Sequence, residues 1–248
     1  MRWLEAKVVE NRTWTETLFS LRVAGPKLEF EAGQFVRIAL DADEGNAGSR
    51  IARPFSFVNP PHDPVLEFYG VEVPEGPLSP RLARLRAGDS LQVASNPAGF
   101  LVLSELPDAE TLWLLSTGTG IAPFLSILRT EAPWRRFRNV VLVHAVRFAK
   151  ELVYREMTGN LIREKSLRNV NLVSREPHPG VLVGRIPAAI RDGSLEAAAG
   201  LSIAPQASQV MLCGNPAMLK DTAAVLMERG LRKHRRRSPG QITVESFW

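Results

Sequence analysis

Two glycine-bearing turns are the places where this sequence could hold an anion. In "STGTGIAP" (116–123) an apolar run gives way to a helical pattern. There Thr117, Gly118, Thr119 and Gly120 leave backbone N–H groups open to a ligand, and the helix N-terminus behind them adds partial positive charge. Glycine is needed where a Cβ would block that approach. No Gly-Lys-Ser/Thr follows and the turn is not G-x-G-x-x-G, so ATP hydrolysis is disfavoured. A tight turn without a ligand would look the same. "LCGNPAML" (212–219) repeats the form: Cys213 ends a strand, Gly214, Asn215 and Pro216 make the turn, and Met218 and Leu219 start a helix. Open parallel sheets bind ligands beyond the carboxyl ends of their strands, so two such turns define one crevice. A buried strand-end cysteine is commonly packing, but its place beside the crevice makes Cys213 a candidate lining residue.

The third feature of that edge is positive charge. "NLVSRE" ends at Ser174 and Arg175, Arg185 follows in "VLVGRIP", and Arg147 follows "LVHAV". Arginine and small polar residues suit a ribose 2′-phosphate, where an acid would suit the 2′-hydroxyl of NAD. Glu176 works against this unless it points away. Arginines at strand ends also occur with no ligand at all.

Earlier in the chain, "RPFSF" (53–57) sets Arg53 and Phe55 on one face of an extended segment and Ser56 on the other. Arginine can clamp a diphosphate, and a flat ring can stack on a flat heterocycle. "GPLSPRL" (76–82) predicts a helix over 77–86 with Ser79 as N-cap and Pro80 in its first turn, a second anchor for the same anion.

The elements that must carry these groups fall in two sets. Six short β-rich runs separated by Gly, Pro, Asn and Asp turns fill the first hundred residues and predict an antiparallel barrel or sandwich. After "NPAGFLVLSELP" (96–107), strands alternate with helices, which predicts a parallel sheet. Hydrophobic residues at 45% and charged residues at 23% are those of a globular protein. No transmembrane run and no secretory signal are read, and the single cysteine, Cys213, suits a reducing cytoplasm. With one cysteine and scattered histidines (His62, His144, His178, His234), no metal site is expected; His144 reads as a core histidine. The net charge of +5 is concentrated in "WRRFRN" and "RKHRRR", which suits nucleic acid, an acidic surface or an acidic protein.

Taken together, "RPFS", "GPLS", "STGTGIAP", "VHAVR", "VSRE", "GRIP", "MLCGNP" and the terminal "VESFW" resemble the ferredoxin/flavodoxin–NADP reductases over the whole chain, in the bacterial branch with a terminal aromatic pair. The resemblance implies a two-domain β plus α/β protein: an antiparallel FAD barrel over 1–101 and a Rossmann-like NADP domain over 102–248. It implies hydride transfer from NADPH to flavin N5, with electrons passed to ferredoxin or flavodoxin. It assigns FAD to Arg53, Pro54, Phe55, Ser56, Tyr69, Pro77, Leu78, Ser79, Thr119, Phe247 and Trp248. It assigns NADP to Thr117, Gly118, Val146, Arg147, Ser174, Arg175, Arg185, Gly214, Asn215 and Pro216. Ser56, Cys213, Glu245 and Phe247 would surround the reacting atoms, Phe247 gating the flavin face and Trp248 stacking on adenine. The implied partner is an acidic carrier protein met by a cytoplasmic monomer, with no nucleic acid and no membrane insertion. The family usually has Tyr at the position of Phe55, so one hydroxyl is missing here. The other readings are a flavin reductase component of an oxygenase and a basic nucleic-acid-binding protein.

Overall fold

A computed structural model describes residues 1–41 and 50–246. The six expected early runs form β1 (Trp3–Thr13), β2 (Leu18–Ala24), β3 (Phe35–Asp41), β4 (Arg50–Ser56), β5 (Val65–Val71) and β6 (Ser90–Ala94), in the sheet order β4-β3-β6-β1-β2-β5. Every pairing is antiparallel. An antiparallel bridge between Phe57, just past β4, and Phe68 of β5 joins the two edge strands at one end, so the sheet closes into a barrel. Strand alternation supplies its core: Leu21 and Val23 of β2, Ile38 of β3, Phe68 of β5 and Leu91 and Val93 of β6 point inward.

The short helix α1 (Ser79–Ala83) corrects one expectation. Ser79 does not cap it. The N-cap is Leu78, whose side chain is buried in the barrel core, and the Ser79 hydroxyl instead accepts a hydrogen bond from Val73 N–H at 2.9 Å. The loop amide, left without a ladder partner where the chain turns, takes the hydroxyl that the helix would otherwise use.

The second half builds β7 (Thr111–Thr117), α2 (Ala122–Leu128), α3 (Ala132–Arg136), β8 (Asn139–Val146), α4 (Arg155–Lys165), β9 (Arg168–Val173), β10 (Leu182–Val183), α5 (Ile186–Arg191), α6 (Ser194–Ala199), β11 (Ser208–Gly214), α7 (Pro216–Glu228) and β12 (Ile242–Ser246). All pairings in the sheet β10-β9-β8-β7-β11-β12 are parallel. The chain runs outward from β7 through β10, then returns to lay β11 on the other side of β7. That reversal creates a switch point, where open sheets bind ligands. β7 is apolar on both faces because both are covered. Trp113 and Leu115 face α5 and α7, while Leu112 and Leu114 face α2.

α7 begins earlier than expected, at Pro216 and not at Met218. The Asn215 carboxamide caps it, accepting from Ala217 N–H at 2.9 Å and Met218 N–H at 3.3 Å, and Pro216 has the fixed φ that suits a first helical position. The "ITVES" run, not read as a strand from the sequence, adds β12 beside β11. All seven residues of α2 are buried, and its core also takes in Leu18, Val58 and Tyr69 of the barrel with Leu101 of the connection. One hydrophobic cluster therefore bridges the two halves, between the barrel's own core and the core on the far face of the parallel sheet.

Candidate functional site

At the carboxyl edge of the parallel sheet a crevice of about 500 Å³ opens against the barrel. It brings together Thr117, Gly118, Thr119, Val146, Arg147, Ser174, Arg175, Arg185, Gly214 and Asn215, while Pro216 lies in the helix just behind. These residues come from the ends of five strands, β7 to β11, so only the fold makes them neighbours. The two glycine turns interlock at the switch point. A Cβ on Gly120 would lie 2.4 Å from the Cys213 carbonyl oxygen, and one on Gly214, at φ +136°, would lie 2.2 Å from Thr117 Oγ1. In that tight fit Thr117 Oγ1 accepts a hydrogen bond from Asn215 N–H at 3.0 Å. The buried His144 is indeed a core histidine: burial lowers its pKa to about 4, so at neutral pH it is uncharged. Its Nε2 donates to the Gly118 carbonyl at 3.0 Å and steadies the first turn from below.

The arginine edge is ordered by backbone. Ser174 N–H donates to Val146 O at 3.1 Å and Arg175 N–H to Arg147 O at 3.0 Å, which holds the two strand ends side by side. The acids nearby are already engaged. Glu151 accepts from Arg147 N–H (2.8 Å) and Phe148 N–H (3.2 Å), and Glu176 accepts from Ala149 N–H at 2.7 Å. Arg147, Arg175 and Arg185 are exposed and form no ion pair among the described residues. The three guanidinium groups thus keep donors available to a ligand, although Glu151 and Asp221 also line the crevice.

A smaller cavity of about 60 Å³ lies where barrel meets β12, lined by Phe35, Pro54, Ser56, Glu245 and Ser246. Ser56 is buried, and burial pushes the Glu245 carboxyl up to about 7. Cys213 is opposite Glu245 in the β11–β12 register; its thiol is fully buried and pushed up by burial and by the Glu245 charge. Arg53 is exposed, and one of its guanidinium N–H groups donates to Ala52 O at 2.8 Å. The half-buried Phe55 ring lies against Gly70 and edge-on to Phe68, at 6.4 Å. Pro77 is exposed, whereas Leu78 is in the core, so only its backbone is free to meet a ligand. Tyr69 is 2% exposed, and its hydroxyl has no partner among the described residues. What it offers a ligand is one hydroxyl and not a stacking face. Phe247 and Trp248 lie outside the described residues.

Sequence reading missed Phe35 and Ser246 in the small cavity, and Thr17, Leu18, Met218 and Asp221 in the large one. Met218 and Asp221 were findable, since positions three apart at the start of a helix share a face. Phe35 was not, because it reaches the cavity only through the pairing of β3 with β4.

A closed barrel abutting an open parallel sheet, with glycine turns at the switch point and arginines along the neighbouring strand ends, defines a two-domain nucleotide-binding oxidoreductase. A family model described as an oxidoreductase NAD-binding domain matches residues 114–224. The chain is 51% identical to the flavodoxin/ferredoxin–NADP reductase of Shigella flexneri and 50% to that of Escherichia coli, covering 99% of each pair of chains. It superposes on the ferredoxin NADP⁺ reductase of Neisseria gonorrhoeae, solved with bound FAD and NADP, at a TM-score of 0.94 and 34% identity, with 100% of both chains covered. The chain belongs to the flavodoxin/ferredoxin–NADP reductase family.

Proposed function

We propose that this reductase passes electrons between NADPH and ferredoxin or flavodoxin through FAD, held between the barrel and the crevice. The observation that carries the reading is the cluster of arginines at the sheet edge, without ion pairs among the described residues and facing across the crevice to a barrel wall of Thr17, Leu18 and Val71. The residues fit both ligands: the Tyr69 hydroxyl is buried and unpartnered, and Ser56 and Glu245 face a common cavity. FAD supplies the step between two-electron and one-electron chemistry.

The protein's part is to bind, orient and shield. Arg147, Arg175 and Arg185, with Ser174, hold the 2′-phosphate, and Glu151 and Glu176 do not compete because backbone amides occupy them. The turns Thr117–Gly118 and Gly214–Pro216, with Val146, take the rest of the dinucleotide. Arg53, with Pro54, Pro77, Leu78 and Ser79, would hold the FAD diphosphate, and Phe55 would offer a ring to the flavin. Ser56 and Thr119 border the reacting atoms, where Glu245, with a carboxyl near neutrality, can hold or release a proton; Cys213, expected from the sequence to line this site, is fully buried and lines neither cavity, so it supports the site from the core. The sequence assigns Phe247 to the flavin face and Trp248 to the adenine.

The carrier is an acidic protein and the enzyme a cytoplasmic monomer; no described helix is long and apolar enough to cross a membrane. Docking falls on the loop Arg232–Arg237. Arg236 is itself engaged, paired with Glu105 at 2.6 Å and lying over the exposed Phe100 ring at 4.3 Å. Arg235 and Arg237 beside it are exposed and face solvent. The test is a visible spectrum followed by steady-state rates. Flavin bands, NADPH preferred over NADH, and loss of that preference in Arg185→Ala are expected. A colourless protein, or one indifferent to the 2′-phosphate, would overturn the reading.

A further inference from the structure

Outside the crevice, the barrel and the parallel sheet are joined by a cluster of partly buried polar groups centred on Glu67 of β5. Glu67 Oε1 accepts a hydrogen bond from the Tyr154 hydroxyl at 2.9 Å, and Oε2 lies 3.5 Å from Arg129 Nη1. Arg129, at the C-terminal end of α2, also donates to Asp63 and to Val58 O, both at 3.3 Å. Within α2, Ser126 Oγ donates to Asn59 O at 2.7 Å, and Asn59 in turn accepts from Glu67 N–H at 2.8 Å. Every one of these bonds except the last crosses from one half of the molecule to the other.

Tyr154 is held under strain. Its φ of 57° is in the left-handed region, which bulky side chains seldom adopt. The surroundings over-determine it: the ring is buried against Trp14 (centroids 4.9 Å) and Tyr69 (5.5 Å), and the hydroxyl is committed to Glu67.

The segments tied down this way are the ones that build the crevice. α2 grows directly out of the turn carrying Gly118 and Thr119. Tyr154 ends the stretch that carries Arg147 and Glu151 into the crevice, and β5 itself brings Val71 to the barrel wall. The same stretch is clasped at the surface by Lys150 and Glu16, 2.6 Å apart, beside the crevice residues Thr17 and Leu18.

We propose that Glu67 is a positioning residue: through Tyr154 and Arg129 it sets the span of the crevice between its barrel wall and its arginine edge. This rests on the reading of the crevice as the meeting place of the two cofactors. Misplacement of reacting groups by about an ångström is enough to slow a reaction a hundredfold, so a loosened clasp has a kinetic signature.

The test uses the holoenzyme with Tyr154→Phe and, separately, Arg129→Lys. Stopped-flow reduction of bound flavin by NADPH is expected to fall by roughly tenfold or more. Oxidation of the pre-reduced enzyme by a small dye, flavin content, and calorimetric binding of 2′,5′-ADP are expected to hold, since none needs the two walls in register. Hydrogen exchange is expected to rise at 14–18 and 147–154 in both variants. Unchanged flavin reduction and exchange overturn the proposal. So does equal slowing of both half-reactions with loss of flavin, which marks Tyr154 and Arg129 as supports of the fold alone. A wild-type protein that binds no flavin refutes the functional reading instead, while the exchange measurement still reports on the clasp.

Discussion

Glu245 and Phe55 show how much a single side chain contributes and where its limits lie. Burial raises the Glu245 carboxyl from 4.5 to about 7, so the native protein binds that proton more tightly than the unfolded chain. The sign follows from linkage: its stabilising contribution is complete below the unfolded pKa and is lost as pH rises through about 7, by at most about 3 kcal/mol. Glu245→Gln cannot ionise, so its melting temperature should fall less than wild type between about pH 5 and pH 8. Parallel curves would show that the carboxyl does not titrate in that window. Phe55 keeps a ring in place but lacks a hydroxyl, and one net hydrogen bond is worth ~0.5–1.5 kcal/mol. Phe55→Tyr should therefore tighten FAD by roughly two- to tenfold or shift its midpoint potential. No change in either would mean that the ring edge has no acceptor to meet.

Among the elements, the interlocked turns after β7 and β11 matter most. Gly120 is set by the close approach of one backbone to another, which cannot be relieved by a side chain moving aside. Gly120→Ala would press a methyl to 2.4 Å from the Cys213 carbonyl. Overpacking of this kind costs typically 1–3 kcal/mol, and forcing the turns apart should also raise the KM for NADPH. Thermal melts and NADPH titrations check both. A variant with native stability and native KM would show that the turns can part without consequence. The same scale explains the two misread helix starts. Ser79 and Asn215 are both good caps by type, but Ser79 found a loop amide and Asn215 found its own helix.

For the molecule as a whole, the bridging hydrophobic cluster aligns the two halves, and the proposed docking on the basic loop makes encounter a test of charge. Neutralising Arg235 and Arg237 should raise the KM for an acidic carrier several-fold at low ionic strength and flatten its salt dependence, with dye reduction unchanged. An unchanged carrier KM would place docking elsewhere. Arg236 is a poor probe of docking, because removing it also releases Glu105 and uncovers Phe100. The sequence by itself determined the two-part architecture and most residues of the candidate site, because these rest on local signals: alternation in strands, helical spacing, and Gly, Asn and Pro at the turns. "STGTGIAP", "VSRE" and "LCGNP" each end a strand, and a parallel sheet necessarily collects such ends on one edge. Only the tertiary structure decided that Phe35 meets Ser56, that Glu176 is held by the Ala149 amide, and that Tyr154 reaches Glu67 across 87 positions of chain. Those partnerships depend on which elements become neighbours after folding, and no spacing within a segment encodes them.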